Sequence, residues 1–208
     1  MRTADPQLQQ RRRDEILASA ERCFVEKGFH QASVAEIAAG AGLSMGLMYR
    51  YFKSKDEIVL CFVELEKEVD LELIRQFAKA NDLRAVLAAQ LDALIQQSFA
   101  PKSARITVEV MAEAGRNPAI LAAIQKNDGA IRAALAEAIG QQQCAGRLPA
   151  HLAPTMAASA LMTLFDGVLG RALLQSDMAL DAYKSELLTM LSGFLGIGVC
   201  NLKTLQSS

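Results

Sequence analysis

SVAEIAAGAGLSMGLMYRYFKSKDE, residues 33–57, carries its own punctuation. Ser33-Val34-Ala35-Glu36 has the spacing of a capping box. The Ser33 hydroxyl is set to accept from the Glu36 amide, and the Glu36 side chain to return to the Ser33 amide. The helix it opens ends near Ala39, because Gly40-Ala41-Gly42 follows. Ser44 then caps a second short helix reaching about Phe52. Ser54 caps a third, with Asp56 and Glu57 in its first turn, where the helix dipole favours negative charge.

Two short helices joined by a tight turn cannot stand alone in water. They must pack on one another and on longer neighbours. Ile37, Ala38, Leu43 and Met48 are the residues expected to turn inward, with Gly42 at the sharp turn. This is a helix-turn-helix, whose second helix enters the major groove of DNA. Residues 43–55 hold three basic side chains (Arg50, Lys53, Lys55), three aromatic ones (Tyr49, Tyr51, Phe52) and no acid. A basic solvated face on an ordinary bundle would show the same charge. The capped short helices around Gly42 favour the DNA-facing reading, with Tyr49, Arg50, Tyr51, Lys53 and Lys55 outward or flanking. Ser33 and Ser44 stand at helix N-termini, where free amides suit phosphate.

Working outward, Arg11–Lys27 reads as a helix with Ile16, Ala20 and Phe24 at intervals of four and Leu17 beside them. Gly28 stops it, and Phe29 is placed to fold back onto Phe24. The 208-residue chain is 51% hydrophobic, is rich in strong helix formers and has scattered prolines, so the expected class is all-α. Lys and Arg number 22 against 23 Asp and Glu, but residues 1–56 carry a net +2 and residues 57–208 a net −3. That mild asymmetry fits a nucleic-acid-facing head on an acidic body.

Other function classes find little support. Cys23, Cys61, Cys144 and Cys200 lie far apart, and neither His30 nor His151 completes a ligand spacing with them, so no metal or cofactor is expected. His30 reads as a loop residue near the DNA and His151 as part of a cap region. No paired carboxylates, nucleophile elbow or phosphate loop is visible, which argues against an enzyme. The N-terminus lacks the apolar core of a signal peptide, and no apolar run is long enough to span a bilayer. The chain reads as soluble and cytoplasmic, with reduced thiols. The competing class is a helical adaptor without specific DNA binding.

The stretch RRRDEILASAERCFVEKGFHQASVAEIAAGAGLSMGLMYRYFKSKDEIV, residues 11–59, resembles the DNA-binding head of the tetracycline-repressor (TetR) family of bacterial transcriptional regulators. The shared positions are dense: Ile16-Leu17, Ala20, Phe24, Gly28-Phe29, Ser33-Val34, Ile37-Ala38, Ala41-Gly42, Ser44, Gly46, Tyr49, Tyr51-Phe52 and Ser54-Lys55. The resemblance implies a three-helix head over residues 1–54 and a larger helical bundle over 55–208, about nine helices in all. The bundle would bind an effector and form a homodimer, and the whole would act on double-stranded operator DNA. It implies phosphate contacts by Tyr49, Lys55, Ser33 and Ser44, and base readout around Met45, Gly46, Arg50 and Tyr51. The family often has Thr where Ala32 stands here. Met45, Gly46 and Leu47 are poor hydrogen-bonders, so readout would rest on Arg50 and on apolar contact with thymine methyls.

Beyond the head, the pattern predicts helices from Asn81-Asp82 to Phe99, Lys102 to Gly115, Pro118 to Gln143, Leu152 to Leu174 and Leu180 to Ile197. Residues 157–174 are apolar nearly all round, with Asp166 and Arg171 as the charges. A helix without a polar face is covered on both sides, as a central core helix or at a dimer contact. The family resemblance implies the second. Ser159, Ala160, Thr163, Gly167 and Gly170 would permit close approach, and Leu187, Leu191, Phe194 and Leu195 would extend the surface. Phe62, Leu94, Thr107, Met111, Met162, Phe165 and Asp166 are the candidates to line an effector pocket. Most sit at spacings that equally suit plain core. Asp166 is costly to bury unless paired, with Arg105, Arg132 or a cationic ligand as possible partners.

Overall fold

A computed structural model describes residues 5–99, 101–174 and 179–198; within these, the side chains of 101–105, 169, 172 and 173 lie outside the description. Nine helices and no strand occur among the described residues: α1 (Pro6–Gln31), α2 (Val34–Gly40), α3 (Met45–Tyr51), α4 (Lys55–Lys79), α5 (Leu83–Ser98), α6 (Pro101–Ala114), α7 (Pro118–Cys144), α8 (Pro154–Leu174) and α9 (Leu180–Leu195). The class is all-α, with an N-terminal helix-turn-helix and a C-terminal helical bundle.

The chain forms two compact units, Met1–Glu68 with Pro101–Asp128, and Val69–Ala100 with Gly129–Ser208. In the first, Ile16, Ala20 and Phe24 of α1 meet Ile37, Ala38, Met48, Phe52, Ile58 and Val59. Val110, Ala114 and Ile120 from α6 and α7 close the same core. Helix α1 starts earlier than the periodicity predicts. Asp5 caps it by accepting from the Gln7 amide at 3.0 Å, and Pro6 occupies a first-turn position where a missing N–H costs nothing. The helical path breaks at Gly28 (φ 77°, ψ 161°) and resumes for one turn. The break lets Phe29 return onto Phe24, ring centroids 5.3 Å apart. His30 therefore belongs to that last turn and not to a loop.

In the second unit, Leu83, Leu87, Leu91 and Ile95 of α5 pack with Leu135 and Ile139 of α7, Ala157, Ala158, Leu161 and Val168 of α8, and Leu187, Leu191 and Leu195 of α9. Asp82 caps α5 by accepting from the Ala85 amide at 2.9 Å. Gln142 is fully buried. Its amide nitrogen lies 2.7, 2.9 and 3.1 Å from the carbonyls of Phe77, Ala78 and Ala80, so it satisfies the open end of α4. Helix α7 runs unbroken through Asn127-Asp128-Gly129. Asn127 is buried, and its amide donates to the Val63 carbonyl at 3.2 Å.

Candidate nucleic-acid interface

The two short helices begin as their sequence dictates. Ser33 Oγ accepts from the Glu36 amide at 3.2 Å, and Glu36 Oε2 accepts from the Ser33 amide at 3.0 Å. Lys27 reaches across from α1 to Glu36 Oε1 at 2.5 Å. That ammonium, then the Ser33 amide and hydroxyl, hold the Glu36 carboxyl down at about 2, against an ordinary 4.5. Gly42 makes the turn at φ 67°, and the Leu43 amide returns to the Ala38 carbonyl at 2.9 Å. Ser44 Oγ then accepts from the Leu47 amide at 3.3 Å to start α3, and Ser54 Oγ accepts from the Glu57 amide at 3.2 Å to start α4.

Helix α1 braces α2 from behind. Ser19 Oγ donates to the Ile37 carbonyl at 2.8 Å, and Arg22 to the Gly40 carbonyl at 3.1 Å. Helix α3 buries Met48, and Phe52 anchors its end; both are fully buried. With that side turned in, Met45, Gly46, Tyr49 and Arg50 share the exposed face, 100° per residue placing them on one arc. Ser33, Ser44 and Lys53 are exposed as well, while Tyr51 is half-buried.

Two lysines act differently from simple surface cations. Lys53 Nζ donates to the Tyr49 carbonyl at 2.9 Å, at the end of α3. Lys55 Nζ donates to the Phe29 carbonyl at 2.6 Å and the Ala32 carbonyl at 2.9 Å, and sits 4.5 Å from the Phe29 ring centroid. It closes the C-terminal end of α1. His30 faces α6: its Nε2 lies 3.3 Å from Glu113 Oε2 and 2.8 Å from Arg116 Nη1. His151 is exposed in the turn before α8.

The remaining candidates are divided between the two units. Phe62 packs edge-on to Phe24 in the first unit, centroids 6.3 Å apart, and Thr107 and Met111 belong to the same unit, Met111 being exposed. Leu94, Met162 and Phe165 are half-buried against the core of the second unit, and Asp166 is exposed on α8, so burial does not dictate its pairing. The Arg105 side chain and Cys200 fall outside the described residues. On α8, Ala160, Thr163, Gly167 and Gly170 face outward and Ser159 is half-buried; on α9, Phe194 faces outward. Leu187, Leu191 and Leu195 do not extend that face. They are 8%, 1% and 0% exposed, because α9 turns this edge onto its own core. Ala160, Leu161, Leu164, Met190, Leu191 and Phe194 line an open apolar groove of about 140 Å³ between α8 and α9.

Residues 16–60 match the family described as bacterial regulatory proteins, tetR family, and residues 79–196 match the BetI-type transcriptional repressor C-terminal family. The chain belongs to the TetR family of bacterial transcriptional regulators. It is similar to the HTH-type transcriptional regulator UidR of Escherichia coli, 27% identical over 184 residues, covering 88% of this chain and 92% of the relative. GusR of Salmonella enterica superposes with a TM-score of 0.77 at 27% identity, covering 94% of this chain and all of that one. SmeT, solved in complex with triclosan, shares the fold with a TM-score of 0.72 at 22% identity, covering 88% and 90%. This TetR-family protein is therefore a DNA-binding transcriptional regulator, and the adaptor alternative falls away. Among the described residues no cluster of three metal-ligating side chains occurs, and no helix is long and apolar enough to cross a membrane.

Proposed function

We propose that this TetR-family regulator represses transcription by binding a palindromic operator as a homodimer, and that a small apolar or amphipathic molecule releases it. The observation that carries the reading is the outward face of α3, where Met45, Gly46, Tyr49 and Arg50 stand clear of the core. Tyr49, with the helix starts at Ser33 and Ser44, takes phosphates; Met45, Gly46, Arg50 and Tyr51 meet base edges. Lys53 and Lys55 add positive charge while closing α3 and α1. The functional division is a DNA-binding part, residues 1–54, and an effector-binding and dimerising part, residues 55–208. Acting on bacterial DNA, the protein works in the cytoplasm.

The outward residues of α8 with Phe194 supply the two-fold contact. The effector reading is supported by the likeness to SmeT, whose structure holds triclosan. Leu94, Met162 and Phe165 are adaptable apolar groups of the kind that line ligand sites, with Asp166 as a polar handle. A gel shift with DNA flanking its own gene tests the core of the proposal. Binding should be specific and fall steeply with salt, as counterion release requires. Equal affinity for flanking and unrelated DNA would remove the operator. A lipophilic compound that releases the DNA must itself bind more weakly when operator is present, by the same factor.

A further inference from the structure

The run Arg11-Arg12-Arg13 opens the head, and its three cations have different surroundings. Arg11 and Arg12 both lie beside Glu15, at 3.8 and 2.6 Å. Arg13 turns inward. Its Nη1 donates to the Tyr51 carbonyl at 3.3 Å, its guanidinium carbon lies 4.5 Å from the Phe52 ring centroid, and its Nη2 approaches Cys61 Sγ at 3.8 Å. One side chain of α1 thus touches the last residue of α3, the residue that ends α3 and the first half of α4.

We propose, resting on the reading of base edges by α3 proposed above, that Arg13 is a positioning residue for DNA reading: it sets the tilt of α3 from behind and makes no contact with DNA. Helix α3 has only seven residues, too few to hold an orientation by its own hydrogen bonds. Its N-terminal end is held by Ser44. At the other end the Phe52 amide donates to the Met48 carbonyl at 3.1 Å, Lys53 Nζ to the Tyr49 carbonyl and Arg13 to the Tyr51 carbonyl. A cation suits the negative end of a helix. Arginine suits this place better than lysine, because a planar guanidinium stacks on a ring and donates in two directions at once, whereas an ammonium is a compact, strongly hydrated point charge. Base-edge recognition tolerates little angular error, so loosening this end should cost discrimination more than general affinity.

The test uses the full-length chain and two duplexes, one enriched from a random pool by the wild-type protein and one shuffled duplex of equal composition. Wild type, Arg13→Met and Arg13→Lys are titrated at several salt concentrations, with the folded fraction of each taken from circular dichroism. Arg13→Met should bind the enriched duplex at least ~10-fold more weakly, change little on the shuffled one, and keep the slope of log K against log salt. Arg13→Lys should recover only part of the discrimination, and amide exchange along α3 should quicken in both variants. An equal loss on both duplexes, with the slope smaller by about 0.9, would make Arg13 a phosphate ligand and overturn the proposal. Folded Arg13→Met with wild-type discrimination would leave Arg13 only a structural role. If Arg13→Met does not fold, Arg13→Lys decides: wild-type discrimination there refutes positioning by a planar group.

Discussion

Glu109 Oε2 accepts a hydrogen bond from the Phe29 amide at 2.6 Å, across 80 residues of sequence. The bond ties α6 to the turn of α1 that follows the break at Gly28. Phe29 is buried, so losing the carboxylate removes a charge-assisted hydrogen bond at a buried amide. Glu109→Ala should therefore lower stability by about 1.5–3 kcal/mol, the range for hydrogen bonds to charged groups, as read by chemical denaturation. Stability unchanged within error would mean that water replaces the carboxylate there.

The capping box at Ser33 and Glu36 predicts a pH dependence. The Glu36 carboxyl is held at about 2, below its ordinary 4.5, chiefly by Lys27 and then by Ser33. A depressed carboxyl contributes stability that is fully present above the ordinary value and is lost as pH falls through the folded one. The start of α2 should loosen between pH 4.5 and about 2. Glu36→Gln should already be looser at neutral pH and lack that acid-dependent step, with amide exchange at the start of α2 as the readout. A wild-type step retained in the Gln variant would assign it to another group.

Residues on the outward arc of α3 should divide by chemistry. Tyr49→Phe removes a hydroxyl suited to phosphate and should weaken binding to all duplexes alike. Arg50→Ala should relax preference at one base pair, costing about 1–3 kcal/mol there if Arg50 reads guanine. Competition binding against single-base operator variants separates the two. An Arg50→Ala protein with untouched preference would make Arg50 another phosphate contact.

The α8–α9 edge offers a paired test of assembly. Phe194 is 45% exposed, while Leu191 beside it is 1% exposed. Phe194→Glu should give a folded monomer at micromolar concentration by sedimentation velocity. Leu191→Ala should instead lower stability by about 2–5 kcal/mol through the cavity it leaves, without opening the folded dimer. A folded Phe194→Glu protein that stays dimeric would move the two-fold contact elsewhere.

Much of the head was legible because its signals are local. The serine caps at 33, 44 and 54 bond to amides three residues ahead, and the Phe24–Phe29 pairing spans one helical turn and a glycine. Spacing along the chain is enough to read them, and with the helix-forming composition and the TetR resemblance they determined the all-α class and the helix-turn-helix; Tyr51, expected outward on α3, is half-buried. Tertiary structure alone decided the rest. Lys55 closes α1 from 23 to 26 residues away, and Arg13 reaches Tyr51 across 38. Gln142 ends α4 from more than 60. Each is a long polar side chain that would look solvated in any local window, and only folding brings an unsatisfied carbonyl to it. Helix α9 shows the same limit in its apolar residues. Leu187, Leu191, Phe194 and Leu195 are alike in hydropathy and nearly contiguous, so periodicity cannot tell which edge turns inward. Packing on α5 and α8 buried the three leucines and left Phe194 in the open.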